Sequence, residues 1–365
     1  MFFRFILVNI FSFVKRFFAF NAILYKIIIF IPLLTVFTKR ISKKSLFFVI
    51  YFSIIFLITG NLCIYSYYIM FFLLLLAVPM FEKISFEGIL SKSIFFFILV
   101  SLYGISQKYL GYSFVELNWI RSGLSVAHEE SFFITDEIRP FSTFASIPEF
   151  TLFISLFLFY FTHKKNIILI IFSLIMLYIA GSRGVIVSTL VAYLFTFLIK
   201  KYNFKFLFFS FLLSFFIYLV LIFIFPYIIY IYIENDSRML VYGTFNGRIE
   251  LLINVLEQSS IYTLIKGSNT IHSNIGNTFD NIYLMLITNF GILGCIYFIY
   301  FFIKQKFDKK SFYFISIFIG YGFYADMVYS YYLMFLFFFA IYSNNEKETF
   351  PKITFKLRGR KVFAI

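Results

Sequence analysis

Apolar runs of bilayer-spanning length, separated by short polar breaks, recur along the whole sequence; Phe206 to Tyr230 and Ile282 to Ile303 are among the longest. A helix of about 20 apolar residues, rising about 1.5 Å per residue, crosses a hydrocarbon core roughly 30 Å thick. A soluble core cannot hide so many of them. Apolar residues make up 62% of the chain and charged residues 13%, where a soluble domain carries about 25% charged residues. The pattern predicts an all-α polytopic membrane protein, with residues 1–365 forming one integral membrane domain. Phe is so abundant, at 61 residues, that it reads as generic bulk facing lipid.

Roughly 11 spans (about 10–12) fit the hydropathy and length requirement. They are expected near 17–38, 45–60, 62–81, 93–111, 148–162, 166–181, 184–199, 206–231, 281–303, 311–325 and 328–342. The opening MFFRFILVNIFSFVKRFF begins like a signal sequence but has no small-residue cleavage site, so it reads as retained. Residues 1–40 allow either one span after an interfacial segment or a tight hairpin. Cys63 and Cys295 both lie in apolar runs, which excludes a disulfide framework and a cysteine metal site.

The net charge of +15 would suit nucleic acid, but its distribution argues against that partner. Lys39-Arg40, Lys43-Lys44, Lys164-Lys165, Lys200-Lys201 and Lys304 to Lys310 are short clusters between apolar runs, and the basic tail at 343–365 joins them on one side. Cytoplasmic loops carry such an excess of Lys and Arg. Residues 112–147 and 232–280 then become two long outer loops, and Ser182-Arg183-Gly184 and the turn near Asp326 also face out. In the second loop Ile249, Leu252, Ile253 and Leu256 recur at helical spacing opposite Glu250, Asn254, Glu257 and Gln258, with Asn246-Gly247 as a possible cap. That is an amphipathic helix suited to the membrane interface.

The type of cation differs between the two sides. The cytoplasmic clusters are nearly all lysine, whereas the outer face holds Arg121, Arg139, Arg183, Arg238 and Arg248 against Lys108 and Lys266. A guanidinium offers a planar fork of donors matched to phosphate and carboxylate. As a set these arginines point to an anion site; singly, each could pair with loop carboxylates such as Glu129, Glu130, Asp136 and Glu137. Arg248 opens the amphipathic helix, where free N–H groups and the helix dipole already attract anions; the alternative is a side chain snorkelling to head groups. Arg183 lies between two apolar runs, a costly place unless it is paired or functional. Glu149, after Pro148, and Asp280, opening the run Asp280-Asn281-Ile282, are candidate bases, and His272 and His128 follow them. Each acid could equally be a first-turn carboxylate complementing its helix dipole. The sequence holds no metal-ligand cluster, no Gly-rich nucleotide loop and no Ser/His/Asp pattern, so neither metal nor cofactor is expected.

Four segments carry a family resemblance. Arg139-Pro-Phe-Ser-Thr-Phe-Ala-Ser-Ile-Pro148-Glu149-Phe150 resembles the start of the core of Wzy-type O-antigen and exopolysaccharide polymerases, and Gly181-Ser182-Arg183-Gly184 resembles their short turn between spans. Gly247-Arg248 through to Lys266-Gly267 is similar to their large outer loop, and Asp280-Asn281-Ile-Tyr283-Leu284 with Gly291 and Gly294 looks like the following span. The resemblance covers residues 139–300 in order. It implies a GT-C-like membrane fold in the inner (cytoplasmic) membrane that needs no cofactor and uses undecaprenyl-diphosphate-linked oligosaccharide. The growing chain would leave its lipid diphosphate for the non-reducing end of a new lipid-linked repeat, with a flippase and a chain-length regulator as partners. Arg139, Arg183 and Arg248 would hold the diphosphates and stabilise the charge that develops on departure. Glu149 or Asp280 would assist the acceptor hydroxyl as base.

An O-antigen ligase is the nearest alternative; such ligases often carry His-Asn where this chain has Asp280-Asn281, and His272 lies eight residues before Asp280. A lipid-linked oligosaccharide flippase or other transporter should have short loops on both sides and charges within its spans. Here the polar content gathers in two outer loops.

Overall fold

The computed structural model describes residues 47, 49–51, 54, 73–121, 133–134, 137–144, 146–198, 204–220, 253–255, 257–267, 281–303, 308–324, 330–344, 356–357 and 360–361. Among these the chain is mostly helical, as the hydropathy predicts. Helices α1 (Val78–Phe81), α2 (Phe86–Lys92), α3 (Ile94–Leu110) and α4 (Phe114–Arg121) precede a two-residue hairpin of β1 (Phe133–Ile134) and β2 (Glu137–Ile138). Then follow α5 (Ile147–His163), α6 (Ile167–Ala180), α7 (Arg183–Leu198), α8 (Phe204–Leu219), α9 (Ile261–Lys266), α10 (Ile282–Ile303), α11 (Lys309–Tyr321) and α12 (Tyr331–Tyr342). A second short pair, β3 (Lys356–Leu357) and β4 (Arg360–Lys361), lies in the basic tail. The span expected at 17–38 and most of those at 45–60 and 62–81 lie outside the described residues.

Short polar side chains start these helices. Ser85, Ser146, Asn166, Ser260, Asp308 and Ser330 each accept a backbone N–H of the following turn. Asn281 does the same for α10, accepting from Tyr283 N at 3.0 Å and Leu284 N at 3.1 Å. Each such cap satisfies an orphan donor and is worth about 1 kcal/mol. At the other end of α6, Gly181 takes a left-handed conformation (φ 68°) that closes the helix and turns the chain straight into α7.

Helices α5 and α11 form the centre and are buried nearly all round. α6, α7 and α12 pack on α5, while α7, α8 and α12 pack on α11, and α6 also meets α3. The outer faces of α3, α6, α7 and α8 expose large apolar side chains, among them Phe95, Leu99, Ile168, Ile171, Leu194 and Phe216. No single helix among the described residues is long and apolar enough to cross a membrane; α2 and α3 meet that requirement only together, across a 60° bend. α10 is not the unbroken span expected at 281–303: its helix breaks at Gly291, whose φ of 70° and ψ of 177° are not helical.

The interior corrects one expectation. Among the described residues Phe is not chiefly a lipid-facing filler: Phe97, Phe144, Phe150, Phe153 and Phe157 are fully buried. Phe97 stacks on Phe157 with ring centroids 4.5 Å apart, and Phe144 meets Phe153 at 5.0 Å. Such pairs contribute about 0.5–1.5 kcal/mol each beyond burial. They tie α3 and the segment before α5 to the central helix.

The tight connections 164–166 and 181–182 make α5, α6 and α7 antiparallel neighbours, so the bundle has two chemically distinct ends. At one end Lys164 Nζ lies 2.6 Å from Glu87, and Lys310, itself 1% exposed, donates to the Ser343 carbonyl and to Ser343 Oγ. Asn344 bridges to Ile84 and Phe86 beside them. The other end carries Arg139 and Arg183.

Candidate functional site

The arginine end is built on the last turns of α3. Glu116 is buried and accepts from Tyr103 OH at 2.8 Å, from Gln107 Nε2 at 2.5 Å and from the Ser113 N–H at 2.9 Å. Gln107 turns its own carbonyl oxygen to the backbone of the next segment, accepting from Phe141 N at 3.1 Å and Ser142 N at 2.6 Å. Ser142 Oγ donates to the Val100 carbonyl at 2.6 Å. These bonds hold Ser142 at φ 51°, a conformation non-glycine residues adopt only when their surroundings fix it. Tyr112, Ile120, Phe141 and Ile147 form a small separate apolar cluster over this network. Residues 112–121 and 137–144 are thus fixed together as a platform against the end of α3.

Arg139 stands on that platform. Tyr112 OH donates to its carbonyl at 2.5 Å, fixing the backbone. Its guanidinium reaches across 42 residues of sequence, and Nη2 donates to the Gly181 carbonyl at 2.5 Å. Gly181 suits its place by taking the left-handed conformation, and its α-carbon faces the Arg139 guanidinium, where a Cβ would make only an ordinary contact with Nε at 3.6 Å. Two residues on, Arg183 begins α7 with its side chain exposed. Burial, and next the like charge of Arg183, lower the Arg139 pKa to about 10, which leaves it cationic at neutral pH. The fold has placed two positive charges together at a helix start, where free N–H groups add to the positive field. Gly184 permits this packing: a Cβ there would stand 2.6 Å from Tyr324 Cβ.

Glu149 is in the first turn of α5 and is 2% exposed. The sequence Ser146-x-x-Glu149 suggests a reciprocal capping box, and Ser146 Oγ does accept from Glu149 N at 3.4 Å. The carboxylate also takes a hydrogen bond from Ser330 Oγ across to α12. Ser330 in turn accepts from Leu333 N at 3.2 Å as the cap of α12. Two helix starts thus share one carboxylate–hydroxyl pair. Asn281 closes the same end, because Ile282 N donates to the Gly322 carbonyl at 2.9 Å at the finish of α11.

Of the residues singled out from sequence, the structure brings Arg139 and Arg183 together and puts Glu149 at the same end of the bundle. Arg248, Asp280, His272, His128 and Arg238 lie outside the described residues. Asn281 caps α10. In the expected amphipathic helix, residues 253–255 and 257–258 are helical, but Val255 is the buried residue while Ile253 is 46% exposed. The sequence reading missed Ser330, Glu116 and Gln107. Ser330 was legible as a cap before an apolar run, but its partner 181 residues away was not. Among the described residues no cluster of His, Cys, Asp or Glu could hold a metal ion. In comparisons with protein-family models, characterised proteins and solved structures, the chain matches none.

Proposed function

We propose that this chain is a Wzy-type polymerase, a multi-pass protein of the inner membrane. It would join undecaprenyl-diphosphate-linked oligosaccharide repeats on the outer face. The observation that carries the reading is the pairing of Arg139 and Arg183 at one end of the bundle. Arg183 stands near enough to Arg139 for their like charges to be felt, and a lipid diphosphate has the charge and the acceptor geometry to lie beside both guanidiniums. The membrane part of the reading is supported by the apolar outer faces of α3, α6, α7 and α8 and by the gathering of lysines at the opposite end.

In this scheme Arg183, exposed at the start of α7, contacts the diphosphate directly, with Arg248 as a further ligand from the second outer loop. Arg139 has a double part. It braces the α6–α7 turn through the Gly181 carbonyl and adds its charge to the field that stabilises the departing diphosphate. Glu149 lies buried inside the bundle end, so it serves as base only where the acceptor reaches into that end; Asp280, next in sequence to the α10 cap, is the other candidate. No metal is required, because the leaving group already carries its charge and the arginines meet it.

Deletion of the gene tests the reading. A polymerase joins repeats that have already crossed the membrane, so its loss should leave surface glycolipid bearing one repeat and no long ladder. Loss of a ligase would strand long polymer on the lipid carrier, and loss of a flippase would trap single repeats on the cytoplasmic face. Where the glycan is released without a ligase, the length of carrier-linked glycan gives the same answer. Long carrier-linked polymer in the deletion strain overturns the proposal.

A further inference from the structure

The helix break at Gly291 has a partner. α9 and the residue after it lie against α10, and the contact is backbone on backbone. A Cβ on Gly291 would stand 2.0 Å from the Ile265 carbonyl oxygen, and one on Gly267 would stand 2.6 Å from the Asn289 carbonyl oxygen. Both glycines have positive φ, 70° at Gly291 and 86° at Gly267. With ψ of 177° at Gly291 and 153° at Gly267, that backbone is almost exclusive to glycine. The two glycines interlock the end of the second outer loop with the gap in the helix.

We infer that residues 260–267 form a re-entrant element, which descends from the outer surface beside α10 to near mid-depth of the bilayer and turns its apolar face to hydrocarbon. The inference rests on the membrane orientation proposed above but not on the polymerase chemistry. Gly291 lies nine residues beyond the start of α10, or about 13 Å along a helix axis, just short of half a core of roughly 30 Å. Backbone broken at that depth is tolerated only where protein covers it, because hydrocarbon cannot satisfy free N–H and C=O groups. The Ile265–Gly267 backbone supplies that cover. Its first turn is closed by a reciprocal cap: Thr263 N donates to Ser260 Oγ at 3.1 Å and Ser260 N donates to Thr263 Oγ1 at 2.8 Å; Lys266 is its one charged residue. Its exposed side chains, Ile261, Tyr262 and Ile265, match the exposed Ile292, Leu293 and Ile296 of α10 beyond the break. Six large apolar groups on two touching elements suit hydrocarbon and not the aqueous loop surface.

The test uses the full-length protein with Cys63 and Cys295 replaced by Ala and single cysteines at Ser125, Ile265 or Ser42. With an impermeant maleimide on intact cells, Ser125→Cys should label, while Ile265→Cys, near the deep end of the element, should label only once the membrane is dissolved. Adding Gly291→Val should expose Ile265→Cys to the reagent by unseating the loop. A fluorophore at Ile265→Cys, quenched by lipids brominated deep in their acyl chains, reads the same depth without changing a glycine. Labelling of Ile265→Cys at the rate of Ser125→Cys, or no deep quenching, overturns the inference and leaves the orientation standing. Labelling of Ser42→Cys with silence at Ser125→Cys overturns the orientation, and the inference falls with it.

Discussion

The Ser330–Glu149 pair makes the most quantitative prediction. Replacing Ser330 with Ala removes two bonds at once: the cap of α12, accepted from Leu333 N at 3.2 Å, and the donor to a buried carboxylate. Loss of a helix cap costs about 1 kcal/mol. Loss of a hydrogen bond to a buried charged group costs about 1.5–3 kcal/mol. Ser330→Ala should therefore destabilise the protein by about 3 kcal/mol. In a Glu149→Ala background only the cap remains to be lost, so the same change should cost about 1 kcal/mol. The coupling read from this double-mutant cycle should be about 2 kcal/mol. Reversible unfolding in mixed detergent micelles, followed by tryptophan-independent far-UV circular dichroism, measures all four corners. Ser330→Thr, which keeps the hydroxyl, should recover most of the loss. Equal costs for Ser330→Ala in the two backgrounds would mean that Glu149 does not depend on Ser330, and the account of this bundle end would be wrong.

Two further predictions concern the arginine end. Arg183→Lys should abolish most polymer while the protein still accumulates, because an ammonium keeps the charge but loses the fork; Arg139→Lys should lower both accumulation and polymer, because it also removes the brace on Gly181. Immunoblot and glycan ladder together check this, and wild-type ladders from both variants would refute it. Gly184→Ala should destabilise the bundle by about 2 kcal/mol, the usual scale of overpacking, since its Cβ meets Tyr324 Cβ at 2.6 Å; the thermal midpoint in detergent reads the effect, and an unchanged midpoint would show that the contact relaxes freely.

Sequence periodicity located helices well and faces badly, for a physical reason. The apolar run at 148–162 announced α5, since a hydropathic edge is a local signal; the cap at Ser146, equally local, went unread. Which side of an apolar helix meets protein is not local. Lipid and protein interior select the same residues, so nothing in the sequence separated buried Phe157 from exposed Phe216. The break at Gly291 was hidden likewise: a glycine in an apolar run is common, and the reason for this one lies 26 residues upstream, at Ile265. Arg139 and Arg183 were each legible as misplaced cations. Their pairing depends on the return of α6 along α5, which only the fold supplies.

α12 has a mechanical property that bears on the choice among membrane roles. Its first turn is tied to Glu149 of α5 through Ser330, and the carbonyl just past its last turn is tied to Lys310 of α11. A rod fastened at both ends to two different central helices moves with them, because sliding or tilting it alone would break one fastening. Alternating-access carriers work by rocking one part of the bundle against another around a fixed site. A seam for such rocking cannot run between α12 and either central helix without unfastening the Ser330–Glu149 or the Lys310–Ser343 bond in each cycle. In the proposed polymerase the three helices would serve as one frame past which the lipid-linked chains move.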